Sequence, residues 1–154
     1  MRIIVIAVVL LCSAASGDAA SSNPTFAQLA STMTGHWRCS SGSQTYTTDW
    51  TVLPNAQWIR GVNRSRTHGV TSLSEDMETY DALHRVWRIV DMEPNGSMSV
   101  LVGSGPAGHV STQSVYPDAS QRVRYDRVSN RRYTLTFDFL IKSKHSRWVD
   151  ICSR

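Results

Sequence analysis

Arg132-Tyr133-Thr134-Leu135-Thr136-Phe137-Asp138-Phe139-Leu140-Ile141 alternates without a break. Tyr133, Leu135, Phe137, Phe139 and Ile141 fall on one face, and Arg132, Thr134, Thr136 and Asp138 on the other. Strict period two in β-branched and aromatic residues predicts a half-buried strand. The same pattern recurs upstream, where Tyr46, Thr48, Trp50 and Val52 oppose Thr45, Thr47, Asp49 and Thr51. Turn signals punctuate the chain at short intervals: Pro54-Asn55, Pro94-Asn95-Gly96, Gly105-Pro106-Ala107-Gly108, Pro117-Asp118 and Ser129-Asn130. Between them lie about ten runs of strand length, near 35–40, 44–53, 57–66, 75–81, 85–93, 97–103, 109–116, 121–128, 131–141 and 146–153. Short, regularly spaced strands joined by hairpins predict an all-β fold, an antiparallel up-and-down β-barrel.

One helix precedes them. Phe26, Leu29, Ala30 and Met33 share a helix face, Asn23-Pro24-Thr25 supplies the start, and Gly35 the stop.

Residues 1–20 carry the marks of a secretory signal peptide. Arg2 is followed by an apolar run from Ile3 to Leu11, then small residues, with Ala15/Gly17 or Gly17/Ala19 as cleavage sites. The run is too short for a transmembrane helix. A lipoprotein anchor on Cys12 would need a small residue where Leu11 stands, so no stable membrane anchor is expected. The remainder, 21–154, is roughly 135 residues, enough for one domain with a core. It retains Cys39 and Cys152, an even pair in an oxidising compartment, which favours a disulfide over two separately buried thiols. The pair sits near the first and last strands, where it would staple the seam of a closed barrel and so remove two free sheet edges. Parity puts Trp37 with Cys39, and Trp148 with Asp150 and Cys152, without saying which face is inside.

Gly35-His36-Trp37, after a short helix and at the opening of a β-meander, resembles the Gly-x-Trp of lipocalins and their calycin relatives. The longer stretch Thr34-Gly35-His36-Trp37-Arg38-Cys39 and the ending Trp148-Val149-Asp150-Ile151-Cys152-Ser153-Arg154 are similar to the bacterial secreted lipocalin-like proteins. The resemblance implies a lipocalin-like barrel in which Trp37 packs under the sheet against an arginine from the last strand, a part open to Arg154 or Arg147. It also implies a small apolar or amphipathic molecule held inside. Trp50, Trp58, Tyr80, Trp87, Tyr133 and Phe137 are the expected wall residues, with core packing the competing role for each.

No signature of catalysis stands out. There is no Gly-x-Ser-x-Gly, no metal-spaced histidine pair, and no lysine or helix after Gly103-Ser104-Gly105-Pro106-Ala107-Gly108 to make a phosphate loop. That glycine run is read instead as a mouth loop over a cavity. No cofactor, metal or nucleic acid is expected. The net charge of +4 is mild, and Arg122, Arg124, Arg127, Arg131 and Arg132 are read as a solvated strand face. Glu75, Asp76, Glu78 and Asp81 are likewise read as a charged outer face, with a general acid–base pair inside the barrel as the alternative for a calycin-type isomerase or hydrolase. His145 invites comparison with nitrobindin-like haem proteins, where a histidine near the C-terminus binds iron, but Lys142-Ser143-Lys144-His145-Ser146 reads as a polar turn. Asn63-Arg64-Ser65 and Asn95-Gly96-Ser97 match the glycosylation sequon.

Overall fold

The computed structural model describes residues 23–55, 57–141 and 144–154. The signal-peptide expectation and Cys12 lie outside them. A helix α1 (Pro24–Met33) leads into ten strands: β1 (Gly35–Ser41), β2 (Gln44–Val52), β3 (Ile59–Thr67), β4 (Val70–Asp81), β5 (Val86–Met92), β6 (Met98–Ser104), β7 (His109–Tyr116), β8 (Gln121–Ser129), β9 (Arg132–Ile141) and β10 (Lys144–Ser153). Each strand pairs antiparallel with its sequence neighbours, and β1 pairs with β10 to close the barrel. The seam is shut at Cys39 and Cys152, which face each other in register and are joined by a disulfide.

The helix forms where the sequence places it. The Asn23 carboxamide oxygen accepts from the backbone N–H of Thr25 (3.1 Å) and Phe26 (3.3 Å), and Pro24 takes the first turn. Asn23 Nδ2 also donates to the Tyr80 carbonyl at 3.1 Å, which docks the helix on β4. Phe26, Leu29, Ala30 and Met33 are all buried, so the apolar face of α1 closes one end of the barrel.

Two strands start earlier than the sequence suggests. β4 begins at Val70, because His68 (φ 51°) and Gly69 (φ 83°) both occupy the left-handed region and make a tight hairpin. β10 begins at Lys144, so Lys144, His145 and Ser146 are not turn residues; they pair with Ile141, Leu140 and Phe139.

The outer face carries ion pairs among exposed apolar residues such as Leu73, Val115, Val149 and Ile151. Arg60 pairs with Glu75, Arg64 with Asp49, Arg88 with Asp81, Arg124 with Asp126, and Arg147 with Asp138. Arg122, Arg131 and Arg132 are also exposed there. Among the described residues no helix is long and apolar enough to cross a membrane.

Candidate functional site

Alternate residues of the strands point inward around a cavity of about 790 Å³. At the α1 end it is floored by Leu29 and Met33, with Trp87, Leu101 and Val110 beside them. At the far end Ser41, Gly42, Gln44, Glu93 and Pro94 line it, residues at or beside the turns after β1 and β5. The cavity is therefore a blind cup, closed by the helix and open at the opposite rim.

Aromatic residues dominate two walls. Trp50, from β2, lies across Gly61 of β3, where a Cβ atom would come within 2.9 Å of the indole. Its Nε1–H points to the Tyr133 hydroxyl at 3.4 Å. On the other wall Phe137, Phe139 and Trp148 stack at the rim, with 4.3 Å between the rings of Phe139 and Trp148.

Acidic residues complete the lining. Asp76, Glu78, Asp91, Glu93 and Asp150 all line the cavity, and among the described residues no lysine, arginine or histidine does. Asp76 and Asp91 oppose each other directly across β4 and β5. Asn63 Nδ2 donates to Asp76 at 2.8 Å, while its own carboxamide oxygen accepts from Thr48 at 2.6 Å, and Ser99 donates to Asp91 at 3.1 Å. Asp150 accepts from the Tyr46 hydroxyl at 2.7 Å through Oδ2. Its Oδ1 is buried without a partner.

These groups titrate differently from those outside. Burial, followed by the charges of Asp76 and Asp91, pushes Glu78 up to about 8. Burial and the facing Asp91 raise Asp76 as well. Burial raises Asp91, with the hydrogen bond from Ser99 opposing it. Burial and the hydrogen bond to Asp150 push the Tyr46 phenol far above its ordinary value. On the outer face, a bond from Arg60 holds Glu75 below the usual carboxylate range, and bonds from Arg88 and His84 do the same for Asp81.

Of the six expected wall residues, Trp50, Trp87, Tyr133 and Phe137 line the cavity. Trp58 does not. It sits in the β2–β3 connection at the helix end, where its carbonyl accepts from Leu53 N–H at 2.8 Å. Tyr80 does not either, because it lies below the cavity, packed on Trp87 at 5.0 Å between ring centres and against the core. Gly35 (φ 125°), Trp37 and Arg154 do meet at the closure, and Arg154, not Arg147, supplies the arginine: Arg147 is on the outer face with Asp138.

Several readings are corrected. Asp76 and Glu78 face inward rather than forming an outer face with Glu75 and Asp81, since the inward parity of β4 runs through Ser72, Ser74, Asp76 and Glu78. The Gly103–Gly108 run is not a mouth loop but part of the closed floor. Ala107 is buried, Trp87 Nε1 donates to the Gly105 carbonyl at 2.8 Å, and Gly105 (φ 124°) leaves no room for a side chain against His109. His145 is exposed on the outward parity of β10, so it does not reach the cavity as a haem ligand. Asn63 is turned into the barrel by its bonds to Thr48 and Asp76, where a glycan has no place. The sequence reading missed Asp91, Glu93, Asp150, Phe139 and Trp148. Their signal was parity with Trp87 on β5, Cys152 on β10 and Phe137 on β9.

Among the described residues no group of three His, Cys, Asp or Glu side chains converges to hold a metal ion. The sequence matches no protein-family model and no curated protein. The class therefore rests on architecture: a closed ten-strand antiparallel barrel behind one short helix, consistent with a calycin-like fold.

The raised carboxyls have a consequence for stability. Glu78 titrates at 4.5 when unperturbed and near 8 in the barrel, so between those values the folded chain holds a proton that the unfolded chain has released. Stability then falls as pH rises across that window. Glu78→Gln removes the cost. We expect it to stabilise the protein by on the order of 2 kcal/mol at pH 8.5 and to be near neutral at pH 4.5. Equal effects at both values, in thermal melts of ligand-free protein, would show that Glu78 titrates normally.

Proposed function

We propose that this protein is a secreted binding protein that holds a small amphipathic molecule in the barrel. The observation that carries the reading is the cup itself: about 790 Å³, closed at one end, walled by Trp50, Trp87, Tyr133 and Phe137, with polar side chains set among them. Ligand pockets of this size have largely apolar walls and a few placed polar groups that fix orientation. The disulfide is in keeping with an oxidising compartment.

Titration with the neutral fluorophore N-phenyl-1-naphthylamine tests it. Saturable binding is expected, with emission enhanced in the apolar cup. Phe137→Ala should weaken it by about 5–30-fold, the loss of one aromatic contact. Absence of binding by folded protein, or indifference to Phe137→Ala, Trp50→Ala and Tyr133→Ala alike, overturns the assignment.

A second reading is supported by the perturbed carboxyls. Glu78, protonated near neutrality, and the facing pair Asp76 and Asp91 have the titration that acid–base catalysis uses. Native mass spectrometry of protein purified folded from its own secretory route separates the two. An unchanged small molecule released on denaturation favours the carrier. A bare polypeptide that converts an added molecule favours the enzyme.

A further inference from the structure

The charge of this chain is sorted with unusual completeness. It has 16 lysines and arginines and 12 acidic residues. Five of those acids line the cavity, and among the described residues not one cationic side chain does. Each outer acid in an ion pair meets an arginine or a histidine; no interior acid does.

Two features show that these carboxylates lack a partner the protein does not supply. Asp76 and Asp91 stand directly opposite each other on neighbouring strands, where like charges destabilise a sheet. Among the described residues their hydrogen-bond donors are the neutral Asn63 and Ser99. Asp150, a residue of the cavity wall, is only 5 % exposed; one oxygen is satisfied by Tyr46, and the other is buried with no hydrogen-bond partner among the described residues. A buried acceptor left unpaired is costly, and native structures rarely tolerate one without a role.

We propose that the molecule held in the barrel is an organic cation: an amphipathic amine or ammonium, its apolar body among Trp50, Tyr133 and Phe137 and its charged head between Asp150 and the Asp76–Asp91 pair. This rests on the carrier reading and narrows it. An ammonium head supplies the missing donors and the missing positive charge together. The aromatic wall adds attraction for a cation over a ring face. A metal ion fits less well, since the carboxylates are spread around the wall and no three converge. An anion would meet repulsion from every charged residue in the cup. Tyr46, bonded to Asp150, stands two residues along β2 from Thr48, whose bond to Asn63 leads on to Asp76.

Protonation competes with the cation. Asp76 faces Asp91 from β5, with Glu93 further along that strand's inner parity, shares its own inner face with Glu78, and has the Tyr46 hydroxyl among its acidic and phenolic surroundings. Glu78 faces Asp76 and Asp91, with the Tyr125 and Tyr133 hydroxyls opposite. All of these neighbours are acidic or phenolic. A cationic ligand therefore binds best where the carboxyls are ionised, and displaces protons where they are not.

Three probes sharing one ring system test this by isothermal titration calorimetry on the disulfide-bonded protein: 2-(1-naphthyl)ethylamine, 2-(1-naphthyl)ethanol and 1-naphthylacetate. At pH 8.5 the amine should bind at least about tenfold tighter than the alcohol, as a charge-assisted contact implies, and the acetate weakest. At pH 5 the preference for the amine should shrink several-fold. Asp150→Asn and Asp91→Asn should each reduce the amine-to-alcohol ratio. The pH arm uses unaltered protein and stands even if a variant fails to fold. Equal binding of amine and alcohol, or tightest binding of the acetate, overturns the cation assignment and leaves the carrier intact. No binding of any probe by folded protein overturns both.

Discussion

Replacing Cys39 and Cys152 together by alanine lowers stability by about 4–5 kcal/mol, the entropy that a cross-link over a loop of this size removes from the unfolded chain. The bond spans 113 residues, most of the described barrel. Its position makes the loss worse than the loop alone suggests. The β1–β10 ladder pairs only from Arg38↔Ser153 to Ser41↔Asp150, whereas β9–β10 pairs along the whole of β10. The seam is thus the shortest ladder among the described strands and is reinforced by a covalent bond, whereas the other joints rest on hydrogen bonds alone. Both sulfurs are buried among core residues, so the double alanine variant avoids stranding a polar group there. At about 3–5 °C per kcal/mol for a domain of this size, the midpoint should fall by about 15 °C. Opening the seam also exposes two strand edges, so the variant should aggregate on heating where the parent does not. Calorimetry of both proteins decides it: a fall of less than about 3 °C would mean that the β1–β10 ladder and α1 hold the seam unaided.

The barrel was legible because its evidence is local and repeated. The alternation of Tyr133 to Ile141 sets which side chains share a face, and the paired cysteines say which strands meet last. The polar half of the cavity was not legible for the opposite reason. Charged residues in a strand are ordinarily on the wet side, and that expectation sent Asp76 and Glu78 outward. Parity carried the contrary signal. Asp76 and Glu78 alternate with Tyr80, and Asp91 with Ile89 and Trp87, so each acid lies on the face that its strand buries at the helix end. A barrel that holds water or a ligand at one end and a core at the other has strands whose inner face changes from apolar to polar along its length. Trp58 and Tyr80 fail as wall residues by the same logic. They belong to the helix end, where aromatic residues are core. The early start of β4 at Val70 was not foreseen because His68-Gly69 does the work of Asn-Gly without its spelling, histidine being one of the side chains that tolerates a positive φ.

The second large effect lies under the barrel. Trp37→Ala should cost about 3–5 kcal/mol, the range for truncating a large aromatic residue in a packed core. The indole is 2 % exposed and stands edge-on to Tyr133 at 4.7 Å between ring centres. Its Nε1–H donates to the Met33 carbonyl at 2.6 Å, satisfying a group that the end of α1 leaves open. Over its other face lies the Arg154 guanidinium, 4.7 Å from the ring centre. That guanidinium in turn donates to the Thr34 carbonyl at 2.7 Å and the Asn130 carbonyl at 3.2 Å. One indole therefore joins the helix, the first strand, the β8–β9 turn and the C-terminus. Arg154→Ala, at the exposed edge of the same stack, should cost only about 1–2 kcal/mol. If the two act as a unit, the double variant loses less than the sum of the single ones, by about 0.5–1 kcal/mol. Trp37→Phe separates the contributions further, keeping the ring and removing the donor to Met33. Chemical denaturation of the four proteins measures the cycle. Strict additivity would mean that Arg154 clamps the helix end through its carbonyl bonds alone, and that the stacked indole adds nothing to the hold.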